Sequence, residues 1–238
     1  LEIISELVCE HPDIDSLEIN PIALGLNHLI IDEANIRISP EAHAPVIENR
    51  YQHLAIHPYP YYLTEHKAFN DGRSWTLRPI RPEDAEALQN FIRGLSDDSR
   101  YMRFVSMMSE LTPKMLSRYT YVDYDKELAL VATIEVPNPA HRGLPQGIII
   151  GLAHYLRNVD GVGAEYALVI ADDWQRRGLG RSLMSKLIEL AQRQGLEYIE
   201  GLVLANNRSM FALMTSLGMI NEPDHEDPTV RRLWMSFK

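Results

Sequence analysis

The chain has little cysteine and no long apolar run. Cys9 is the single cysteine in 238 residues, which excludes an internal disulfide and a paired-cysteine zinc site. The longest apolar stretches, near residues 128–136 and 148–156, are much shorter than the roughly 20 residues that cross a bilayer. The first residues also lack the basic and then apolar segments of a leader. These absences predict a soluble, cytoplasmic protein with no membrane partner.

Basic residues are also scarce. The chain has 23 lysines and arginines against 33 acidic residues, for a formal net charge of -10. This charge repels nucleic acid phosphates unless the basic groups are strongly clustered, so we expect no nucleic-acid partner. It is compatible with a cationic acceptor. Hydrophobic residues at 45% and charged residues at 24% argue against wholesale disorder and predict a globular chain.

The pattern of apolar and helix-breaking residues divides the chain into three parts. Residues 1–38 predict one helix and two strands, which are too few for a free-standing domain and are expected to be the end of a larger one. Residues 39–74 contain several prolines and predict a linker with limited secondary structure. We predict no metal cofactor, because the histidines of this linker lack metal-ligand spacing; they are His43, His53, His57 and His66.

From residue 75 the pattern alternates between strand and helix, which predicts an α/β (α+β) domain. Pro82-Glu83-Asp84 has the acids and proline of a helix start. A second helical region is predicted near residues 96–119. The predicted strands cover residues 75–79, 128–136, 148–155, 164–170, 199–204 and 230–237, with a hairpin loop at 137–145.

The segment after residue 170 is the most informative. A polar turn leads into a helix with apolar residues on one face, Leu183, Leu187 and Leu190. Glycines let the main chain approach a ligand, and the first amides of a helix have no intrahelical acceptor. With the helix dipole and the nearby arginines, these amides suit a pyrophosphate. The motifs of P-loops and dinucleotide folds are absent. The alternative is an ordinary helix start with surface arginines.

The motif Gln175-x-x-Gly178-x-Gly180 resembles the pyrophosphate-binding signature of the GCN5-related N-acetyltransferases (GNATs). Downstream, Asn207 opens a helix that ends at Leu217-Gly218-Met219, which is also similar to that family. The resemblance covers about residues 75–238. It implies the GNAT fold, a mixed central sheet flanked by helices, and acetyl-CoA as cosubstrate. By analogy, the cofactor-binding residues are Leu168, Val169, Ile170, Gln175, Arg176, Arg177, Gly178, Leu179, Gly180, Arg181, Ser182 and Asn207. An alternative role for Asn207 is a helix cap.

A closer likeness is to bacterial protein lysine acetyltransferases fused to an acyl-CoA synthetase-like region. Residues 77–84, 123–127 and 164–167 carry it. Residues 17–21, which include Glu18 and Asn20, resemble the end of an ATP-grasp domain, so the likeness implies that residues 1–38 are the C-terminal remnant of such a domain. It also implies a protein substrate that carries a lysine. The oligomeric state stays open.

Acyl transfer to an amine needs a base, because a lysine side chain with a pKa of about 10.4 is charged at neutral pH. The resemblance places a catalytic carboxylate at Glu165, acting directly or through a water; the alternative is a solvated strand-end residue. A backbone amide near Val169 or Ile170 would stabilise the oxyanion. Many relatives have a proton-donating tyrosine where this sequence has Met214, and methionine cannot donate a proton.

Three functions remain open at this point. The first is an enzyme that acetylates lysines on other proteins. The second is an acyltransferase for a small amine. The third is a regulatory module that binds acetyl-CoA without turnover.

Overall fold

The computed structural model describes residues 4, 7, 11, 14–20, 22–24, 29–31, 33–38, 59–106, 108–137, 145–224 and 227–238. The chain forms two compact units, Leu1–Tyr59 and Pro60–Lys238. Cys9 and most of the predicted hairpin loop at 137–145 lie outside the described residues. Within the described part, no helix is long and apolar enough to cross a membrane.

The described residues of the first unit contain four short strands, where the sequence pattern predicts two. β1 (Ile14–Ile19) pairs antiparallel with β4 (Ala34–Ile38), and β2 (Ile22–Leu24) pairs antiparallel with β3 (Leu29–Ile31). The apolar run predicted as one strand at 28–38 is divided between β3 and β4, because the polar Glu33 interrupts it; its carbonyl accepts a hydrogen bond from the Asn20 amide at 3.1 Å. Ile4 and Leu7 are helical, in agreement with the amphipathic pattern.

The second unit is built on an eight-stranded sheet with the order β11-β12-β10-β9-β8-β7-β6-β5. Only the β9–β10 pair is parallel. The strands are β5 (Glu65–Ala68), β6 (Ser74–Pro79), β7 (Glu127–Pro137), β8 (Pro145–Arg157), β9 (Gly163–Ile170), β10 (Tyr198–Leu204), β11 (Ile220–Pro223) and β12 (Val230–Ser236).

The structure differs from the predicted linker at residues 60–74, which belong to the second unit. β5 lies inside this segment and pairs with β6, with Lys67 opposite Trp75. Glu65 also forms an ion pair with Lys186 at 2.8 Å. The prolines on which the linker prediction rested all precede β5. None of them lies within the strand, so none removes a main-chain donor from its hydrogen bonds.

Five helices of the second unit flank the sheet: α1 (Ala85–Gly94), α2 (Asp97–Phe104), α3 (Pro113–Thr120), α4 (Leu179–Arg193) and α5 (Arg208–Ser216). The helical region predicted at 96–119 is two helices. Val105 ends α2 in the left-handed region at φ 49°, and Thr112 caps α3 by accepting a hydrogen bond from the Met115 amide at 3.3 Å. A left-handed residue cannot continue a right-handed helix.

The sheet has a core on each face because its strands alternate. Tyr166 and Leu168 of β9 point into the cluster that contains the apolar face of α4, whereas Val169 points into the cluster of α1. This alternation follows from the period of two residues in a strand. Helices therefore cover both faces of the sheet at the C-terminal half of β9, where Leu168 and Val169 lie.

β9 and β10 are paired at one end and separate along their length. Their parallel pairing runs from Gly163 opposite Tyr198 to Glu165 opposite Glu200, and ends there. The remaining residues of β9 still pair with β8 on the other side. The edge of β9 that faces β10 is consequently open beyond Glu165, and its main-chain groups are available to a ligand.

Candidate active site

A cleft of about 770 Å³ lies at the C-terminal end of β9. α2 contributes one wall, the turn after β9 a second, and the first residues of α5 a third. The structure brings together in this cleft most of the residues that the sequence predicted to hold a cofactor, namely Leu168, Val169, Ile170, Gln175, Arg176, Gly178, Gly180, Arg181 and Asn207. Four of the predicted site residues do not line it: Glu165, Arg177, Leu179 and Ser182.

The turn between β9 and α4 exposes a run of main-chain donors. The amides of residues 176–181 have no acceptor within the described chain. Arg176 and Gly178 both adopt left-handed conformations, with φ values of 59° and 87°. Alternation of this kind directs successive N–H groups into one concave nest, which suits an anion. The amide of Ser182 is not part of the nest, because it donates to the Gly178 carbonyl at 3.0 Å.

Three predicted residues hold the turn in place through contacts with the rest of the domain. The Gln175 amide nitrogen Nε2 donates to the Ile170 carbonyl at 3.2 Å and to Ser99 Oγ at 3.3 Å. Arg177 contacts Asp71 at 3.4 Å and lies over the Trp174 ring at 5.3 Å. The Leu179 side chain is buried in the core. Gln175 and Arg177 thus have partners in the protein, whereas the main-chain amides of the nest and the Arg176 side chain face the cleft.

Asp172 joins the turn to α2, and the sequence analysis did not identify it. Its carboxylate accepts hydrogen bonds from the Ser96 amide at 2.8 Å, from Ser96 Oγ at 2.8 Å and from Ser99 Oγ at 2.7 Å. Partial burial opposes ionisation, but these hydrogen bonds outweigh it and lower the pKa of Asp172. A carboxylate at the N-terminus of α2 also suits the helix dipole. Asp172 therefore fixes one wall of the cleft against another.

Gly180 allows α4 to approach β9 and α5 closely. A Cβ at this position would lie 3.0 Å from the Leu213 side chain and 3.5 Å from that of Leu168. Both leucines line the cleft. Any larger residue at Gly180 would therefore displace the walls of the cleft.

Asn207 combines the two roles that the sequence left open, because it caps a helix and also lines the cleft. Its Oδ1 accepts hydrogen bonds from the Met210 amide at 3.1 Å and from Ser209 Oγ at 3.0 Å. The side-chain nitrogen is a donor that capping does not require. Met210 also lines the cleft, whereas Met214 is fully buried in the core.

Glu165 lies outside the cleft, on the sheet face that carries Val169. It is exposed and stands opposite Leu156 of β8 and Glu200 of β10. Glu165 and Val169 are four positions apart on the strand, which corresponds to about 13 Å between their Cα atoms. The neighbouring Glu200 is ion-paired with Arg232 at 2.5 Å. The two glutamates are thus alike in position and different in partners.

A half-buried histidine lies beside the cleft wall. His154 of β8 stands opposite Ala167 of β9, and its ring packs edge-on against Tyr119 with 5.5 Å between centroids. The Tyr119 hydroxyl accepts a hydrogen bond from Arg103, which lines the cleft, at 3.1 Å. His154 Nδ1 is buried with no partner among the described residues. Burial, followed by the positive charges of Arg103 and Arg118, lowers the pKa of His154 to about 3.

Sequence reasoning missed the residues that α2 contributes to the cleft, which are Ser96, Asp98, Ser99, Met102 and Arg103. The only local signal is Ser96, which accepts a hydrogen bond from the Ser99 amide as an ordinary helix cap. A cap predicts where a helix begins and says nothing about which strand the helix lies beside. The contact between α2 and the turn joins residues more than 70 positions apart, with a separation of 76 for Ser96 and Asp172.

Comparison with known proteins places this fold and cleft in a family. Residues 75–220 match the model of the acetyltransferase (GNAT) domain. The chain belongs to the GNAT acetyltransferase family. The predicted fold class is thereby confirmed, and the domain is an acyltransferase that transfers acetyl groups.

Two curated relatives and one solved structure are similar to the chain. An acetyltransferase of Pseudomonas aeruginosa is 32% identical over 163 residues, which cover 68% of this chain and 84% of that protein. The acetyltransferase Pat of Mycolicibacterium smegmatis is 31% identical over 63% of this chain but only 42% of that protein. The crystal structure of the GNAT domain of S. lividans PAT is 27% identical, with a TM-score of 0.66, and covers 75% of this chain and 99% of that domain.

Proposed function

We propose that this GNAT domain transfers the acetyl group of acetyl-CoA to the side-chain amine of a lysine on another protein. The observation that carries the proposal is the exposed position of Glu165 on an open face of the sheet. Leu156, Leu202 and Ile220 are also exposed on that face. An enclosed apolar pocket is typical of sites for small molecules, whereas an open surface with exposed apolar residues suits a protein.

The likeness of residues 77–84, 123–127 and 164–167 to bacterial protein lysine acetyltransferases supports a lysine acceptor. The sequence of the M. smegmatis Pat and the fold of the S. lividans PAT domain are among those similar to the second unit. The chain spans less than half of the M. smegmatis protein, so the acceptor is proposed for this chain on the combined support of the likeness and the open face.

The cleft fits the diphosphate of acetyl-CoA. The unpartnered amides of residues 176–181 form an anion nest, and Arg176 and Arg181 add positive charge at its rim. Asn207 and the open edge of β9 offer further donors to the amide-containing arm of the cosubstrate. When bound, acetyl-CoA supplies an activated acyl group on a thiol leaving group.

Glu165 serves as the general base in this proposal. A lysine ammonium must lose a proton before its nitrogen can attack the acyl carbon. The distance of about 13 Å along the strand between Glu165 and Val169 leaves room for an incoming lysine side chain and a water between them. Glu165 therefore takes the proton through that water, and the backbone amide near Val169 stabilises the oxyanion.

The experiment that tests the proposal is incubation of the chain with acetyl-CoA and a cell extract, followed by mass spectrometry for acetyl-lysine. New acetylation that is absent with the Glu165→Gln variant supports a protein acceptor. A panel of small amines is assayed in parallel by thiol release. Turnover of a small amine without protein acetylation contradicts the proposal, as does calorimetric binding of acetyl-CoA with no turnover of any acceptor.

A further inference from the structure

Arg103 is a cation of the cleft wall that no carboxylate neutralises. Its side chain lines the cleft and is half-buried, and it forms no ion pair with any residue that the structure describes. Its guanidinium donates a hydrogen bond to the Tyr119 hydroxyl, a neutral group, at 3.1 Å. An arginine keeps its charge at every pH at which proteins are folded. The cleft therefore carries a permanent positive charge at this point.

Contacts through the cleft wall place Arg103 beside the middle of β9. The Tyr119 ring packs edge-on against His154 with 5.5 Å between centroids, and His154 stands directly opposite Ala167 of β9. Burial is the main cause of the low pKa of His154, and the positive charges of Arg103 and Arg118 add to it. The charge of Arg103 is thus felt at the level of Ala167.

Ala167 lies where the two substrates meet in the proposed reaction. It is two positions from Glu165 and two from Val169, so each is about 7 Å away on the same face of the strand. At the other end of the cleft, Ser96 is joined to the turn after β9. Arg103 follows Ser96 by seven residues of helix, or about 10 Å. Arg103 therefore stands away from the diphosphate nest and near the reacting groups.

We propose that the positive charge of Arg103 disfavours the ammonium form of the lysine that enters the cleft, and so prepares its amine for attack. This inference rests on the proposed acetyl transfer. A like charge nearby disfavours the charged form of a group, and a neighbouring cation is one of the means by which proteins activate a lysine. The carboxylate of Glu165 favours the ammonium form, and Arg103 offsets that effect.

The reaction needs no proton from Arg103. The lysine ammonium gives one proton, through water, to Glu165. The nitrogen lone pair then forms a bond to the acyl carbon, and the carbon–sulfur bond breaks with its electron pair going to sulfur. A second proton leaves the nitrogen as the amide forms, and the thiolate takes up a proton by way of solvent. Arg103 acts on the first of these steps through its charge alone.

Other charged groups surround the same stretch of β9. They are Asp98 on α2, Arg118 on α3, Glu127 on β7, His154 on β8, Glu165 on β9, Glu200 on β10 and Arg232 on β12. Arg118 is ion-paired with Glu127, and Arg232 with Glu200. His154, with a pKa of about 3, is uncharged at neutral pH. Within this set, Arg103 is the cation that has no acidic partner.

The test uses S-aminoethyl-CoA, a CoA thioether that carries an amine close to the position of the acyl carbon. Its amine is labelled with a nitrogen isotope and titrated by NMR while the probe is bound to the chain. The amine pKa should be about one pH unit higher in Arg103→Gln and Arg103→Met than in the wild type. Arg103→Lys keeps the charge and should give the wild-type value, which a role in packing against Tyr119 would not explain.

Arg176 provides a matched control, because it lines the same cleft at the diphosphate nest. Arg176→Gln should weaken binding of the probe and leave the amine pKa as it is in the wild type. In acetyl transfer to a lysine at neutral pH, Arg103→Gln should lower kcat about tenfold, with little change in the KM for acetyl-CoA. This loss should shrink once the pH exceeds the pKa of the bound amine.

Equal amine pKa values in the wild type and in both neutral variants of Arg103 would overturn the inference, and lysine acetylation by the same chain would leave the proposed function standing. A chain that lowers the amine pKa through Arg103 but acetylates no lysine would support the electrostatic effect and contradict the proposed function. A chain that does not bind the probe contradicts both. Only folded chains that bind CoA contribute to the titration, so unfolding cannot imitate a change in the amine pKa.

Discussion

Glu165 and Glu200 are the last directly opposed residues of the parallel β9–β10 ladder, and the two strands part beyond them. Both side chains stand on one face of the sheet, but of the two only Glu200 has a cationic partner within the described part of the chain, Arg232. Two carboxylates therefore lie side by side on adjacent strands, and the carboxylate of Glu200 is engaged in an ion pair. This difference separates a candidate base from a structural residue.

The first prediction concerns these two glutamates. Glu165→Gln should lower kcat for acetyl transfer at least about a hundredfold, because general base catalysis contributes that much or more. Binding of acetyl-CoA, measured by calorimetry, should stay unchanged, since Glu165 does not line the cleft. Glu200→Gln, in the matched position, should keep kcat within about threefold. Equal losses in the two variants would show that Glu165 is not the base.

A second prediction concerns the close approach at Gly180. Gly180→Ala places a Cβ 3.0 Å from Leu213, so it should cost about 1–3 kcal/mol of stability and weaken acetyl-CoA binding. Gly147→Ala in β8, where a Cβ would meet no atom within 4 Å, should change neither quantity appreciably. Urea denaturation and calorimetry measure the two effects. Normal binding by Gly180→Ala would mean that the cleft walls tolerate displacement.

The role of Asp172 gives the third prediction. Asp172→Ala removes the acceptor for Ser96 and Ser99, so it should destabilise the protein by about 1–3 kcal/mol. The dissociation constant of acetyl-CoA should rise, because α2 and the turn are no longer joined. The control is Asp173→Ala at the adjacent, exposed position. If both variants bind acetyl-CoA as the wild type does, the junction does not organise the cleft.

The fourth prediction is a loss of stability in mild acid caused by His154. Its pKa is lowered in the folded state, from 6.5 to about 3, so the unfolded chain binds the proton more readily. His154 therefore does not lower the free energy of unfolding above pH 6.5. As the pH falls from 6.5 towards 3, the free energy of unfolding decreases by up to about 1.4 kcal/mol per pH unit because of this histidine.

His154→Phe, which keeps a ring against Tyr119, should flatten the dependence of the urea midpoint on pH in this range. His66→Gln, at an exposed position on β5, should leave the dependence as it is in the wild type. A steep wild-type slope that persists in His154→Phe would assign the acid sensitivity to other groups.

The sequence was sufficient for the fold class and for one wall of the cleft. Gln175, Gly178 and Gly180 lie within six residues of a single turn, so local pattern and family resemblance identify them together. β5 was missed because a four-residue strand after prolines has no distinct local signal; its pairing with β6 decides its structure.

The α2 wall was not predictable from local patterns. Asp172 is recognisable as a binding partner of Ser96 only after the fold brings them together. The proposal that residues 1–38 are the remnant of an ATP-grasp domain stays a prediction.

The most direct test of the account is a crystal structure of the chain with acetyl-CoA. The diphosphate should lie against the amides of residues 176–181, and the thioester should lie between β9 and β10 beyond Glu165. A diphosphate bound elsewhere, with the amides of the turn left unpaired, would contradict it.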